Sequence, residues 1–201
     1  MATDERPVGS GDAKGTEYYL AKVTVGEREP LNGKVHLAPY DPGWPAAFER
    51  IAGLVREALG DKALLLEHVG STSVPDLSAK PVIDLVLAVS DSADEPSYVP
   101  FLEARGFALR IREPEWFGHR LLKTPGVRGN LHVFSAGCEE VYRMLMFRDW
   151  LRANEADRRR YEAVKHSLAA RNWKHTQDYA DAKSEVVQEI LARARADRDA
   201  R

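Results

Sequence analysis

The stretch His68-Val69-Gly70-Ser71-Thr72-Ser73-Val74-Pro75, followed by Lys80-Pro81-Val82-Ile83-Asp84-Leu85-Val86-Leu87, decides how this chain is read. Ala63 to Val69 and Val82 to Val89 are compact, mostly apolar runs bounded by turn signals, the pattern of strands inside a sheet rather than at its edge. The loop between them opens on Gly70, where a ligand can approach the backbone without meeting a Cβ. Ser71, Thr72 and Ser73 follow. Their hydroxyls and the N–H groups of the turn suit phosphate oxygens, and Lys80 adds a point charge. No Gly-Lys-Ser/Thr stands at Walker spacing, so this is not a P-loop. The plain alternative is a surface loop of small polar residues. Asp84 tips the balance: a carboxylate inside an apolar strand costs several kcal/mol unless it meets a cation, a metal or hydrogen-bond donors. Its own plain alternative is an Asp capping a neighbouring loop.

Outward from this stretch, residues 1–16 lack periodicity and read as a flexible arm. Tyr18 to Val25 reads as an edge strand and Val35 to Ala38 as another, before the turn cluster Pro39-Tyr40-Asp41-Pro42-Gly43. Pro45 suits a first helical turn, and Phe48, Ile51, Ala52, Val55 and Leu59 recur at helical spacing until Gly60. Beyond Asp84, Tyr98 to Arg105 reads as a short helix ended by Gly106. Phe107 to Ile111, Gly118 to Leu122 and Leu131 to Ser135 read as strands. Helices are predicted over roughly 139–152, 155–171 and 177–195, with Asn154 and Thr176 as N-caps and 196–201 as a charged tail. Strands first and helices last predicts an α/β (α+β) fold: one domain over 17–195, a mixed sheet followed by a C-terminal helical layer.

Composition narrows the function classes. The 201 residues, 44% of them hydrophobic, can bury one sizeable core. With 29 basic and 31 acidic residues the charges nearly cancel, so nothing in the total points to nucleic acid or an anionic membrane. Cys138 is the only cysteine, which excludes an internal disulfide and a cysteine-based metal finger. No apolar signal core follows the first residues and no run is long enough to span a bilayer, so a cytoplasmic location is expected.

The C-terminal helices carry cations on apolar faces. Val141, Met144, Leu145, Arg148 and Leu151 share one stripe; Tyr161, Val164, Lys165 and Leu168 a second; Tyr179, Lys183, Val186, Val187 and Ile190 a third. Snorkelling out of the core accounts for any one of them. Three together, opposite the Gly70 turn, would line a cleft for di- or triphosphate oxygens. The alternative is an internal pair between Arg148 and Asp84. Cys138 reads as structural, Trp116, Phe117 and His119 as core aromatics with base stacking the rival use, and Arg158-Arg159-Arg160 as a solvated helix turn.

Pro39-Tyr40-Asp41-Pro42-Gly43-Trp44-Pro45, His68 to Pro75, Lys80-Pro81-Val82-Ile83-Asp84 and Phe147-Arg148-Asp149-Trp150-Leu151-Arg152 resemble the GrpB family, over about residues 33 to 195. The resemblance implies a nucleotidyltransferase-like fold, in which Gly70-Ser71 followed by Asp84 is similar to the superfamily's motif, and a cleft for a nucleotide or another phosphate-bearing small molecule. The family also occurs fused to a coenzyme A biosynthetic kinase, which suggests the helical face as a docking surface for a protein partner. This sequence departs from the pattern where two-metal phosphoryl transfer needs further carboxylates: Val86 stands at the second acid's place and His132 at the third's. The expected substrate-binding set is Gly70, Ser71, Thr72, Ser73, Lys80, Arg148, Lys165, Tyr179 and Lys183. Asp84 is expected to hold Mg²⁺ or Mn²⁺, and His132 to act as ligand or proton acceptor. One transition metal on His68, Asp84 and His132 is the alternative. The rival to nucleotidyl transfer is a non-catalytic binding domain that kept the cleft and lost the chemistry.

Overall fold

The computed structural model describes residues 13–28 and 31–200. Among them the elements run α1 (Ala13–Val23), α2 (Trp44–Leu59), β1 (Leu65–Val69), β2 (Ile83–Val89), α3 (Val99–Glu103), β3 (Ala108–Glu113), β4 (His119–Lys123), β5 (Gly129–Ser135), α4 (Glu139–Ala153), α5 (Glu155–Ala169), α6 (Thr176–Asp181) and α7 (Ser184–Asp199). The strands form one sheet in the order β1-β2-β5-β4-β3. Only β2 and β5 pair in parallel; the other neighbours are antiparallel. The expected mixed sheet with a C-terminal helical layer is thus the architecture observed.

Pro45 lies in the first turn of α2, and Trp44, Ala47, Phe48, Ile51, Ala52, Val55 and Leu59 make one buried face that Gly60 ends at φ 51°. That face covers Ile83, Leu85, Leu87 and Val89 of β2. Ile51 is fully enclosed, and cutting it to Ala would cost about 3 kcal/mol. On the other face Val86 packs with Val69, Trp116, Phe134 and Val141 of α4. Covered on both sides, β2 is apolar throughout except at Asp84. A third cluster joins Val74 and Leu77, just after the Gly70 turn, to Leu151, Tyr161, Val186 and Ile190 of the C-terminal helices. The turn is therefore clamped between sheet and helices.

Several expectations are corrected. β1 is the outer strand of the sheet; its apolar run reflects cover by α2 and α4, not a neighbour on both sides. Tyr18 to Val25 is not a strand. Thr16 and Val23 are buried two turns apart along helix α1, Tyr18 is exposed, and strand-like pairing survives only as a bridge from Thr24 to Ile111. Residues 1–12 of the expected arm lie outside the described residues. Val35 to Ala38 forms no strand, only a bridge between Ala38 and Ala79. The single helix expected over 177–195 breaks at Ala182 and Lys183 into α6 and α7. Instead of fraying as a tail, α7 continues to Asp199, because Leu191 and Ala194 are buried and Arg193 grips Asp157 through two hydrogen bonds. Asn154 caps α5 by accepting from the Asp157 N–H at 2.9 Å. At α6 the capping position is His175 rather than Thr176, and the Asp178 carboxylate accepts from its main-chain N–H.

Candidate functional site

β1 is followed by Gly70 at φ 69°, ψ −175°, a conformation that favours glycine. A Cβ there would come within 2.6 Å of Asp84 Oδ2, so turn and carboxylate are built against each other. The hydroxyls of the turn divide by role. Ser73 donates to the Gly70 carbonyl at 2.6 Å, and Thr72 donates to the Val82 carbonyl at 3.2 Å. Both are buried, and their hydroxyl protons hold the turn. Ser71 remains, half-buried and in hydrogen-bond reach of the Tyr161 hydroxyl.

His68 belongs to the turn as well. The β1 pleat places it opposite Leu85, on the α2 face, stacked 4.9 Å from Phe48. Because the Thr72 proton goes to Val82, Thr72 must accept from His68 Nε2 at 3.1 Å, which selects the Nε2–H tautomer. Burial, aided by the charges of Arg152 and Arg148, pushes the imidazole down to about 4 despite the opposing pull of Asp84. This is a neutral structural histidine.

Asp84 faces the other way, toward the C-terminal helices. Asn130 is its partner across the parallel pair and donates to Oδ1 at 2.7 Å. His132, paired with Val86, brings Nε2 to 3.9 Å from the same oxygen. Burial alone would raise Asp84, but the His132 imidazole, the Asn130 amide and Lys80 together hold it below the ordinary carboxylate range. Its side chain retains 29% exposure, so it forms the floor of a recess open to solvent.

Lysines surround that floor. Lys165 is 2% exposed, donates to the Ser78 carbonyl and lies 5.1 Å over the Tyr161 ring. Lys183, at the break between α6 and α7, lies 4.7 Å over Tyr179. Burial, with repulsion from Lys183, lowers Lys165 to about 7 and Lys80 to about 8. Burial lowers Lys183 too, against the pull of Asp84 and Asp181. Among the described residues none of the three forms an ion pair, although Asp84 pulls on Lys80 and Lys183, Asp181 on Lys183 and Glu162 on Lys165.

Arg148 stands apart from this cluster. Its Nη1 donates to Glu67 at 2.7 Å and to the His68 carbonyl at 3.0 Å, and Nε donates to Asp149 at 2.7 Å. The alternative pair with Asp84 is not formed. Arg148 and Arg152 instead wall a separate cleft of about 440 Å³ with Tyr40, Phe48, Glu49 and Glu67.

The donor set does not fit the metal centres that the resemblance implies. Asp84 has no second carboxylate two positions on along its strand, where Val86 is sealed in the core, and Lys80 adds a cation beside it. Among the described residues no group of three His, Cys, Asp or Glu side chains is placed to hold an ion. The His68, Asp84 and His132 set is divided by the sheet.

Sequence reasoning missed two polar residues on the Asp84 face, His119 as a partner of His132 and Glu113 altogether. Trp116 and Phe117 serve as core aromatics, Trp116 making edge contacts with His119 and Phe134. The available signal was a histidine and a glutamate at strand positions facing the core.

A UPF0157 protein of Halalkalibacterium halodurans is 58% identical over 181 residues, covering 90% of this chain and 93% of its own. A UPF0157 protein of Streptomyces coelicolor is 44% identical, covering 87% and 90%. The crystal structure of a conserved protein GrpB from Enterococcus faecalis superposes with a TM-score of 0.68 at 28% identity, over 79% of this chain and 96% of that one. Residues 34–193 match the family described as GrpB protein, and the chain belongs to the GrpB family.

Proposed function

We propose that the recess over Asp84 binds the phosphate group of a small molecule, a nucleotide being the ligand class that suits its lysines. The observation that carries this reading is the placement of Lys80 and Lys183 beside Asp84, with Lys165 beside Lys183, none of the three in an ion pair among the described residues. Ammonium groups held without counter-ions in a half-buried site gain most from an incoming anion. In this reading Ser71 and Tyr161 supply hydroxyl donors beside the lysines, and Tyr179 backs Lys183. Asp84 orients Asn130. Because the residues do not fit a two-ion centre, binding is expected to proceed without a divalent cation, and the non-catalytic alternative differs only in having no reaction after binding.

The test is calorimetric titration of the full chain with ATP, GTP, CTP, UTP and coenzyme A precursors, with and without Mg²⁺ or Mn²⁺. Saturable binding in the absence of metal that is lost in Lys80→Met/Lys183→Met supports the reading. Absence of binding to every phosphate compound would sink it, and binding only with metal, abolished in Asp84→Ala, would restore the metal-dependent transferase.

A further inference from the structure

Four neighbouring strands contribute to a row of polar side chains on the same face of the sheet: Asp84 on β2, His132 on β5, His119 on β4 and Glu113 on β3. They are in sequential reach. His132 Nε2 lies 3.9 Å from Asp84 Oδ1, His132 Nδ1 lies 3.0 Å from His119 Nε2, and His119 Nδ1 lies 2.5 Å from Glu113 Oε2. The far end is dry. His119 is fully buried, Glu113 is 2% exposed, and Trp116 at 5.1 Å and Phe134 at 4.8 Å enclose the inner imidazole. Only the His132 end reaches the recess.

Such a row is not there for packing. Buried charged groups stabilise a core no better than well-packed apolar ones of the same size, and the face around them is already apolar through Val86, Phe134 and Trp116. Its proton inventory explains it better. Each of the two inner contacts needs one proton between its heteroatoms. With Glu113 ionised, His119 Nδ1–H donates to Glu113, so His119 Nε2 is an acceptor and His132 Nδ1–H donates to it. His132 Nε2 is then left with its lone pair toward the recess, and the lowering that this imidazole exerts on Asp84 sets in once Nε2 takes a proton.

We propose that His132 Nε2 is the proton acceptor of the recess, and that His119 and Glu113 form a relay behind it. The assignment rests on the recess being the ligand site. A hydroxyl brought against Asp84 gives its proton to Nε2; its O–H bond breaks with the electron pair left on oxygen, and an N–H bond forms. The Nδ1 proton of His132 passes to Nε2 of His119, leaving the positive charge on His119 beside the Glu113 carboxylate. Charge thereby moves across the sheet, away from Lys80, Lys165 and Lys183, whose repulsion would otherwise oppose protonation next to Asp84. His132 is the residue that meets the reacting atom; His119 and Glu113 are positioning residues, acting through tautomer control.

Tautomers are read directly by long-range ¹H–¹⁵N spectra of the ¹⁵N-labelled, ligand-free full chain at about pH 8, above the ordinary histidine range. The expected result is a His132 ring protonated on Nδ1 with Nε2 bare, and a coupling through the hydrogen bond between His132 Nδ1 and His119 Nε2. Glu113→Gln presents an amide that can donate to His119 Nδ1, so His132 should shift toward the Nε2–H form. A purely structural glutamate would leave that tautomer alone. A wild-type His132 protonated on Nε2 overturns the relay, as does a folded Glu113→Gln protein with an unchanged His132 ring. If Glu113→Gln does not fold, the wild-type tautomer and the coupling decide the matter alone. Since no ligand is present, these spectra stand apart from the calorimetry, where failure of phosphate binding would be seen.

Discussion

Two cationic regions flank the Gly70 turn, and they are built on opposite plans. Arg148 meets Glu67, Asp149 and the His68 carbonyl at hydrogen-bond distance, so its charge is spent inside the protein. Lys80 and Lys183 lie beside Asp84 and Lys165 beside Lys183, without ion pairs among the described residues, and all three are lowered by burial. The first arrangement stabilises the fold at its own location. The second leaves a charge imbalance that an anion would relieve. Guanidinium geometry favours the forked contacts of the first, while compact ammonium groups that lose protons readily suit the second.

The sharpest way to break the contrast is at Gly70, on which the lysine side depends. Gly70→Ala puts a methyl 2.6 Å from Asp84 Oδ2 at positive φ and should cost about 3 kcal/mol or more in urea unfolding. A loss below about 1 kcal/mol would show that the turn and Asp84 are not mutually constrained.

The next effect belongs to His68. Its imidazole titrates near 6.5 when unfolded and at about 4 when folded, so the unfolded chain binds the extra proton between those values. The stabilisation is complete above pH 6.5 and is lost as pH falls toward 4, about 3 kcal/mol in all. His68→Gln should flatten this stretch of the stability profile relative to wild type. Identical slopes in the two proteins would refute the assignment.

Exchanging charges separates the two regions directly. Arg148→Met should lose about 2 kcal/mol of stability, because Glu67, Asp149 and the His68 carbonyl lose their donor, while affinity for a phosphate compound stays unchanged. Lys183→Met should do the reverse, weakening phosphate binding about tenfold with stability preserved. If both variants lost ligand affinity, the regions would be one site. The smallest expected signal is proton uptake on binding. An anion beside Lys80 and Lys165, at about 8 and about 7, raises both, so calorimetry near pH 8 in buffers of different ionisation enthalpy should detect up to about one proton taken up. Release instead of uptake would contradict an anion among lysines.

Much of this was legible in the sequence. Helix α2 follows from its three-and-four periodicity, and the doubly covered β2 from its unbroken apolar run, in which Asp84 already stood out as needing company. Lys165 and Lys183 were visible as cations on apolar stripes. Arg148 had the same signature and the opposite use, because its partner Glu67 is 81 residues away and pairing of that kind is decided by tertiary contact. The place of β1 at the sheet edge was hidden for a similar reason: cover by helices and cover by strands ask for the same residues. Thr72 and Ser73 read as ligand donors until the turn's own carbonyls claimed their protons. Glu113 and His119 were missed because cross-strand register, not sequence spacing, sets them in line with His132.

The hydrogen bond from Arg148 to the His68 carbonyl has a consequence for self-assembly. An outer strand with free main-chain groups is a template on which another chain can add a strand, and β1 is flanked by the exposed Leu64. Arg148 occupies one of its main-chain carbonyls, and the Glu67 carboxylate it holds adds charge along the rim. The same guanidinium that docks α4 therefore acts as a gatekeeper against edge-to-edge aggregation.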